Sequence, residues 1–279
     1  MTRLLQLSTL LAVAGLSAAT ATAAVPTDRS SIAFASGRDG NPEIYVMTAA
    51  GTHIRRLTRN PKYEGGPRWS PDRRKILFYS QRSPKGDVWI MNSDGSGQRN
   101  LTRSPAHDAD GAWSPDGTKI SFDSDRAAGS GGGDIFVMNA GGDGLRSLTQ
   151  GAPNDHNPAW SPDGMSIAFT SDGKIAIISA DGSSGRTLLP GDHAAWSPDG
   201  KLLAFDTNGA VEVMAPDGTG VRKLAAGTEP TWSPDGGKLV YVGAARGRHD
   251  TDLYVMNADG TGKRDLLSDH SNASDPAWR

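Results

Sequence analysis

The chain has 279 residues and a net formal charge of −2, with acidic and basic residues interspersed along it. This balance excludes the basic footprint expected of a nucleic-acid-binding protein. The absence of cysteine excludes disulfides, thiolate catalysis and a lipidated cysteine anchor. The 35 glycines and 17 prolines fit a fold rich in tight turns.

Residues 1–24 have the pattern of a secretory signal peptide. Arg3 supplies a positive charge, residues 4–19 are apolar, and small residues at 21–24 offer a cleavage site. An uncleaved membrane anchor is the alternative, but the apolar run is short for a membrane span. We therefore expect a mature protein, residues 25–279, that is periplasmic or extracellular and has no stable membrane insertion.

A tryptophan recurs through the rest of the chain with spacings of 44, 47, 36, 36 and 46 residues. The six repeat tryptophans are Trp69, Trp113, Trp160, Trp196, Trp232 and Trp278. The first five each begin a W-S-P-D motif that continues with Gly or Arg. A period of roughly 40 to 50 residues, with four strand-like runs in each unit, is typical of β-propeller blades.

The unit around Trp113 illustrates the four strands expected of one blade. Strand A ends at Trp113, and the S-P-D-G sequence that follows is a turn. Residues 119–124 alternate polar and apolar side chains, as a half-buried strand B should. Strand C is expected at residues 134–139 and strand D at residues 145–149.

The repeat frame is permuted relative to the blade. The chain begins with a B strand near Ser31 and ends with an A strand at Trp278. The last strand should therefore join the first three, which closes the ring and removes an exposed sheet edge. The sequence predicts an all-β protein, a six-bladed β-propeller with four antiparallel strands per blade that occupies residues 25–279.

These repeats resemble the WD-repeat-like propeller of the TolB family. The W-S-P-D-G turn is accompanied by S-x-R after strand B, at residues 36–38, 80–82 and 124–126, and by V-M-N in strand C. The resemblance covers about residues 31–279, and the α/β domain that precedes the propeller in TolB has no counterpart in this pattern. It implies an envelope protein; TolB itself works in a complex with a peptidoglycan-associated lipoprotein and an inner-membrane partner.

The repeated turns and the variable loops are expected on opposite faces. The turn aspartates are interpreted as acceptors for backbone N–H groups rather than as catalytic carboxylates. They are Asp72, Asp116, Asp163, Asp199 and Asp235. The D-to-A and B-to-C loops vary between units, and binding sites are usually built on variable loops of a rigid scaffold.

Three positions before each repeat tryptophan, five of the six units carry a polar residue. These ring residues are Gly66, Asp110, Asn157, His193, Glu229 and Asp275. Because they enter the innermost strand, we expect them to surround one end of the central channel, here called the channel mouth. His107, His156, His193 and His270 are expected in the D-to-A loops of the same face, so His107 and His156 join the candidate ligand-binding residues.

The ring residues also suggest a metal site. Asp110, His193, Glu229 and Asp275 are candidate ligands of a divalent cation, since oxygen ligands suit calcium and added imidazole suits manganese. The alternative is a solvated polar channel in which each group fills a turn or capping role. The sequence requires no cofactor and assigns no catalytic residue.

Arginines that follow strand B are expected to form ion pairs within their own blades. Arg82 and Arg126 precede acidic residues at the start of strand C, Asp87 and Asp134, as Arg38 precedes Glu43. Exposed pairs of this kind add little stability.

Taken together, the sequence favours a secreted, non-enzymatic and monomeric binding module for an envelope protein or polysaccharide. A metal-dependent enzyme, such as a polysaccharide lyase or lactonase acting at the channel mouth, is the alternative. A structural cell-surface scaffold is a third reading. No G-x-S-x-G nucleophile motif is present.

Overall fold

A computed structural model of the protein describes residues 30–127, 133–151, 154–245, 250–267 and 272–279. The described residues form 24 strands, which make six four-stranded antiparallel sheets. Within these ranges no helix has the length and apolar character that a membrane span requires. The signal-peptide prediction and His270 lie outside the described residues.

Each sheet is one blade, with strands A to D in order from the channel outward. Blade 1 contains β1 (Ser31–Ser36), β2 (Glu43–Thr48), β3 (Arg55–Arg56) and, as strand A, β24 (Ala273–Trp278). Blade 2 contains β4 (Glu64–Trp69), β5 (Lys75–Ser80), β6 (Asp87–Asn92) and β7 (Arg99–Asn100). Blade 3 contains β8 (Asp108–Trp113), β9 (Lys119–Ser124), β10 (Asp134–Asn139) and β11 (Arg146–Ser147).

The second half of the chain repeats this arrangement. Blade 4 contains β12 (Asp155–Trp160), β13 (Ser166–Ser171), β14 (Lys174–Ser179) and β15 (Gly185–Pro190). Blade 5 contains β16 (Asp192–Trp196), β17 (Leu203–Thr207), β18 (Ala210–Met214) and β19 (Arg222–Ala226). Blade 6 contains β20 (Thr228–Trp232), β21 (Lys238–Ala244), β22 (Thr251–Asn257) and β23 (Arg264–Asp265).

The six-bladed propeller and its closure are confirmed. β24 pairs antiparallel with β1, and Trp278 lies opposite Ile32 while Ala273 lies opposite Ser36. The first and last described strands thus share a sheet, and the inner edge of β1 is paired.

The apolar core lies between blades rather than within them. Six clusters of buried side chains each combine residues of two neighbouring blades, and the cluster between blades 6 and 1 is built like the other five. Each repeat tryptophan belongs to the cluster between its own blade and the preceding one; Trp69, for example, packs with Ile44 and Val46. The recurring tryptophan is therefore the residue that joins successive blades.

The S-P-D-(G/R) turns have the predicted chemistry. In the first of them, the Ser70 hydroxyl donates to Asp72 Oδ1 at 2.6 Å, and the Arg74 N–H donates to the same oxygen at 3.0 Å. The four equivalent aspartates also accept from the turn serine and from a backbone N–H. Gly117 has a φ of 71°, and the equivalent Arg73 has a φ of 63°, so one side chain occupies a conformation that favours glycine.

The innermost strands begin earlier than expected. They start four or five residues before the repeat tryptophan, so the ring residue His193 enters β16 as expected, whereas His156 lies within β12 rather than in a D-to-A loop. The prediction was wrong because these strands carry polar residues towards the channel, and a polar run resembles a loop when only the sequence is read.

The partners expected for Arg82 and Arg126 were also wrong. Arg82 Nη2 lies 2.5 Å from Glu64 Oε1, and Arg126 Nη2 lies 2.6 Å from Asp108 Oδ2, so both pair with strand A of their own blade. Asp87 does not need an arginine, because Ser83, Thr102, Asn100 and the Ser104 N–H already donate to it.

Candidate functional site

The six ring residues share one backbone conformation. Each lies at a register irregularity between strand A and strand B of its blade. The φ angles are 57° for Gly66, 49° for Asp110, 55° for Asn157, 51° for His193, 53° for Glu229 and 52° for Asp275. A β-bulge with its first residue in the left-handed region accounts for this geometry.

The bulge strains the backbone of the ring residues and fixes the directions of their side chains. A non-glycine residue in the left-handed region is strained by about 1 kcal/mol or more, and five of the six ring residues carry a side chain there. Such strain collects at functional sites, where it holds side chains in fixed directions. Five equivalent polar side chains are thereby presented around the channel mouth.

A cavity of about 240 Å³ opens at this end of the channel. It is lined by Asp110, Asn157, His193, Glu229 and Asp275, as the sequence predicted. One layer deeper, the residues that immediately precede the repeat tryptophans also line it. These are Arg68, Ala112, Ala159, Ala195 and Thr231.

Carboxylates of the ring bind backbone N–H groups of the next blade. The Asp275 N–H donates to Glu229 Oε2 at 2.6 Å, and the Gly66 N–H donates to Asp275 Oδ2 at 3.2 Å. The Glu229 N–H donates to Asp206 Oδ2 at 2.8 Å. Blades 5, 6, 1 and 2 are therefore linked at the mouth, and Glu229 and Asp275 are held in position.

His193 is held as an imidazolium. Its Nδ1 lies 2.8 Å from Asp206 Oδ2 and 3.8 Å from Asp192 Oδ1. Burial opposes the charged form, but the hydrogen bond to Asp206 and the charge of Asp192 outweigh it and raise the pKa of His193 to about 9.

Asp192 connects blades 4 and 5 next to the ring. Its Oδ1 accepts from the Thr170 hydroxyl at 2.6 Å and from Asn157 Nδ2 at 2.9 Å, and His156 Nε2 lies 3.5 Å from Oδ2. Burial alone would raise the pKa of Asp192, but the hydrogen bond with His156 and the charge of His193 hold it well below its usual range. His156 thus supports the ring through Asp192 and lies outside the cavity lining.

Acidic groups crowd the rest of the mouth. Burial and, next, the neighbouring Asp275 carboxylate raise the pKa of Glu229 to about 7. Behind Asp110, in β9, Asp123 is only 6 % exposed. Burial and the Asp110 charge raise the pKa of Asp123 well above its ordinary value.

His107 does not belong to the channel mouth. Its Nδ1 lies 2.8 Å from the Lys85 carbonyl oxygen, and its ring meets Tyr79 edge to face at 5.4 Å. It precedes β8 on the outer side of the rim and is absent from the cavity lining.

The described residues do not present a ready-made metal site. No group of three His, Asp or Glu side chains in the described ranges is arranged to hold a metal ion. Nδ1 of His193 is engaged by Asp206, and a proton bound with a pKa of about 9 competes with any metal for the imidazole. The metal-ligand assignment to Asp110, His193, Glu229 and Asp275 remains a prediction.

The residues of the site that were not predicted from the sequence include Asp123, Asp206 and Arg68. Asp123 and Asp206 occupy the strand B position that follows the core aromatic residue, where other blades hold Ala35, Tyr79, Thr170 and Val242. Two aspartates at a position that is otherwise largely apolar were a detectable signal. Arg68 was detectable too, as the single charged residue among those that precede the repeat tryptophans.

Comparison with protein families finds a match to the TolB beta propeller domain over residues 4–98 and 127–279. A comparison with curated protein sequences found no significant match. Among solved structures, TolB from Acinetobacter baumannii is 20% identical, with a TM-score of 0.79, over 90% of this chain and 67% of that one.

Two other structures share the fold at lower identity. A chain of the nidogen/laminin complex is 13% identical with a TM-score of 0.71, over 89% of this chain and 98% of that one. An oligogalacturonate lyase in complex with manganese is 16% identical with a TM-score of 0.58, over 85% of this chain and 73% of that one. At these identities the likeness establishes the fold alone.

Proposed function

Because the chain belongs to the TolB beta propeller domain family, we propose that it is a non-enzymatic binding module that docks a protein of the cell envelope on its channel mouth. The partner presents a cationic group, such as a lysine side chain, to the ring carboxylates. An exported location is supported by the signal-peptide pattern of residues 1–24.

The observation that carries this proposal is the lack of a close ion pair at the ring carboxylates; the positive charges of His193 and Arg68 act on Glu229 only from further away. Among the described residues, no Lys, Arg or His nitrogen lies within 4.0 Å of a carboxylate oxygen of Asp110, Glu229 or Asp275. Partly buried carboxylates are normally paired, since burial disfavours an unpaired charge. A cation from a partner would complete the site, and like-charged partners would be rejected.

Zero-length cross-linking with a carbodiimide tests the proposal directly. The reagent joins a carboxylate to an amine in contact with it, so treatment of the exported protein in envelope extract should couple Glu229 or Asp275 to a lysine of one protein. Mass spectrometry of the linked peptides identifies both residues. The Glu229→Gln/Asp275→Asn variant should lose the product, while Asp94→Asn/Asp217→Asn, changed in turns on the opposite face, should keep it.

Two results would contradict the proposal. Cross-links of the partner that map to the S-P-D-G face would move the docking site to the other end of the channel. Capture of polysaccharide without any linked protein would replace the protein partner with an envelope polymer.

A second candidate is a metal-dependent enzyme at the same mouth, motivated by the candidate metal ligands Asp110, His193, Glu229 and Asp275 that line the cavity. Thermal unfolding in EDTA, and then with manganese or calcium, separates the two candidates. A metal-specific rise in Tm that disappears in Asp110→Asn or His193→Ala would support the enzyme. Unfolding that is indifferent to metal would favour the binding module.

A further inference from the structure

Among the described residues that line the mouth cavity, Arg68 is the single charged side chain below the ring. Arg68 lines the cavity at the level where blades 3, 4 and 5 present Ala112, Ala159 and Ala195. Its Nη1 donates to the Pro67 carbonyl oxygen at 2.9 Å. No carboxylate oxygen of the described residues lies within 4.0 Å of its guanidinium nitrogens.

An unpaired guanidinium in a cavity is a receptor for an anion. Arginine has five N–H donors in a planar fork that fits a carboxylate through two parallel hydrogen bonds. In Arg68, the single bond to Pro67 leaves most of these donors available within the cavity.

The ring has an opening directly above Arg68. Gly66 is the one ring residue without a side chain, and it lies two residues before Arg68 on β4. A Cβ added at Gly66 would lie 3.8 Å from Asp110 Oδ1, and the Gly66 N–H bonds to Asp275 Oδ2 at 3.2 Å. Two carboxylates from blades 3 and 1 therefore flank this opening, here called the Gly66 notch.

A buried carboxyl group lies behind the notch, next to Asp110. Asp123, in register with Ala109 on β8, is 6 % exposed. Burial and the Asp110 charge raise its pKa and favour the neutral form, which hydrogen-bonds to Asp110, so Asp110 carries the negative charge on this side of the notch.

We propose that the channel mouth binds an ω-amino carboxylate, with its ammonium group in the Gly66 notch between Asp110 and Asp275 and its carboxylate on Arg68. This inference rests on the proposed function, because it names the chemistry of the group that enters the same mouth. Gly66 and Arg68 are two residues apart on β4, which corresponds to about 6 to 7 Å along a strand. The ammonium and carboxylate groups of an extended lysine are about 7 Å apart, so the ligand matches this spacing. A free diamino acid and a peptide with a carboxy-terminal lysine share this chemistry.

Calorimetric titration of the full chain with 6-aminohexanoate tests the pairing of charges. Hexylamine carries only the cation and hexanoate only the anion, so both should bind at least tenfold more weakly. Arg68→Gln should reduce 6-aminohexanoate to the affinity of hexylamine, and Gly66→Asn, whose side chain fills the notch and tolerates the backbone conformation, should abolish binding. Arg186→Gln, an exposed arginine of an outer strand, is the matched control and should bind as the wild type does.

The source of the ligand is decided by three further probes: free lysine, a peptide ending in lysine, and the same peptide amidated at its carboxy terminus. Binding of the free-acid peptide that is lost on amidation identifies a chain terminus, while tighter binding of free lysine identifies a diamino acid. Thermal unfolding of each variant confirms that it is folded, and Arg68→Lys should restore part of the affinity.

The inference is overturned if hexylamine binds as tightly as 6-aminohexanoate, or if Arg68→Gln keeps the tenfold preference. Failure of the inference is distinguishable from failure of the proposed function. Cross-linking of an envelope protein to Glu229 or Asp275 in Arg68→Gln, with no preference for 6-aminohexanoate, would leave protein docking intact. A clear preference without any cross-linked protein would leave the small-molecule site and remove the protein partner.

Discussion

At the scale of single residues, the channel mouth departs from the rules that govern the rest of the propeller. Five side chains occupy left-handed backbone conformations, and acidic neighbours help to raise the pKa of Asp123 and of Glu229. Elsewhere the same residue types form ordinary turns, as Asp116 does, where hydrogen bonds from Ser114 and then the Thr118 N–H lower the pKa to about 2. A local violation of this kind is expected where a protein binds or reacts.

The His193 imidazolium should make stability fall in mildly alkaline solution. Its folded pKa, about 9, lies above the unfolded value of 6.5, so its contribution is complete below pH 6.5 and is lost as the pH rises through 9. Urea unfolding at intervals from pH 6 to 9.5 measures this loss. His193→Asn should flatten the profile in that window, whereas His107→Asn, outside the mouth, should leave its slope unchanged.

Ionisation of Glu229 should produce a second decline in stability, at lower pH than that of His193. Its carboxyl has a folded pKa of about 7, above the ordinary 4.5, so the folded protein holds an extra proton between these values and loses stability as the pH rises through them. Glu229→Gln keeps an acceptor for the Asp275 N–H and removes the charge. We expect it to be more stable than the wild type at pH 8 and equal to it at pH 4 when urea unfolding is measured at both values.

At the scale of elements, the arginine after strand B is part of a repeated arrangement. The Arg126 guanidinium carbon lies 5.1 Å from the centre of the Phe122 ring and 5.2 Å from that of Phe136, while Nη2 pairs with Asp108. Arg82 has the same relation to Phe78, Trp89 and Glu64. Strands A, B and C of blades 2 and 3 are thereby joined by one side chain each.

Removal of one partner from such a pair should be costly. Arg126→Met keeps the packing of the aliphatic stem but leaves Asp108, whose side chain is 0 % exposed, as an unpaired buried charge. We expect a loss of about 3 kcal/mol in the free energy of unfolding. The double variant Arg126→Met/Asp108→Asn should recover most of it in a double-mutant cycle, and an additive double variant would show that the ion pair is not the source.

The first S-P-D-(G/R) turn is strained at Arg73, and a change to glycine should relieve this strain. Arg73 has a φ of 63°, where the four equivalent turns have glycine. Its positive charge also lowers the pKa of Arg279, after burial. Arg73→Gly should relieve roughly 1–2 kcal/mol of backbone strain. Part of this gain is offset because glycine loses more conformational entropy on folding. We therefore expect the variant to be more stable by about 0.5 kcal/mol. Thermal unfolding checks this, and the reverse change Gly117→Arg should lower Tm.

At the scale of the whole molecule, the fold was predictable because it repeats. Each tryptophan packs in the cluster that joins its blade to the preceding one, so its spacing reports the number of blades, and Trp278 at the end of the chain reports the closure. The ring residues were predictable for the same reason, since their distance from the tryptophan is constant.

The chemistry of the mouth was less predictable. Arg82 was assigned to Asp87 because the two are near in sequence, although Glu64 lies in register with Ser80 on the other side of strand B. The ring residues are supported by Asp192, Asp206 and Asp123 through contacts between strands and between blades. Sequence spacing carries no information on such contacts when each repeat has a different residue there.

The central claim is that the ring carboxylates dock an envelope protein without the help of a metal. The most direct measurement is the yield of the carbodiimide-linked partner for the wild type and for Asp110→Asn/Glu229→Gln/Asp275→Asn, each with EDTA and with added manganese. If the carboxylates dock the partner directly, the wild type gives an equal yield in EDTA and in manganese, and the folded variant loses the product. Retention of the product by the variant, or its loss from the wild type in EDTA, would contradict this claim.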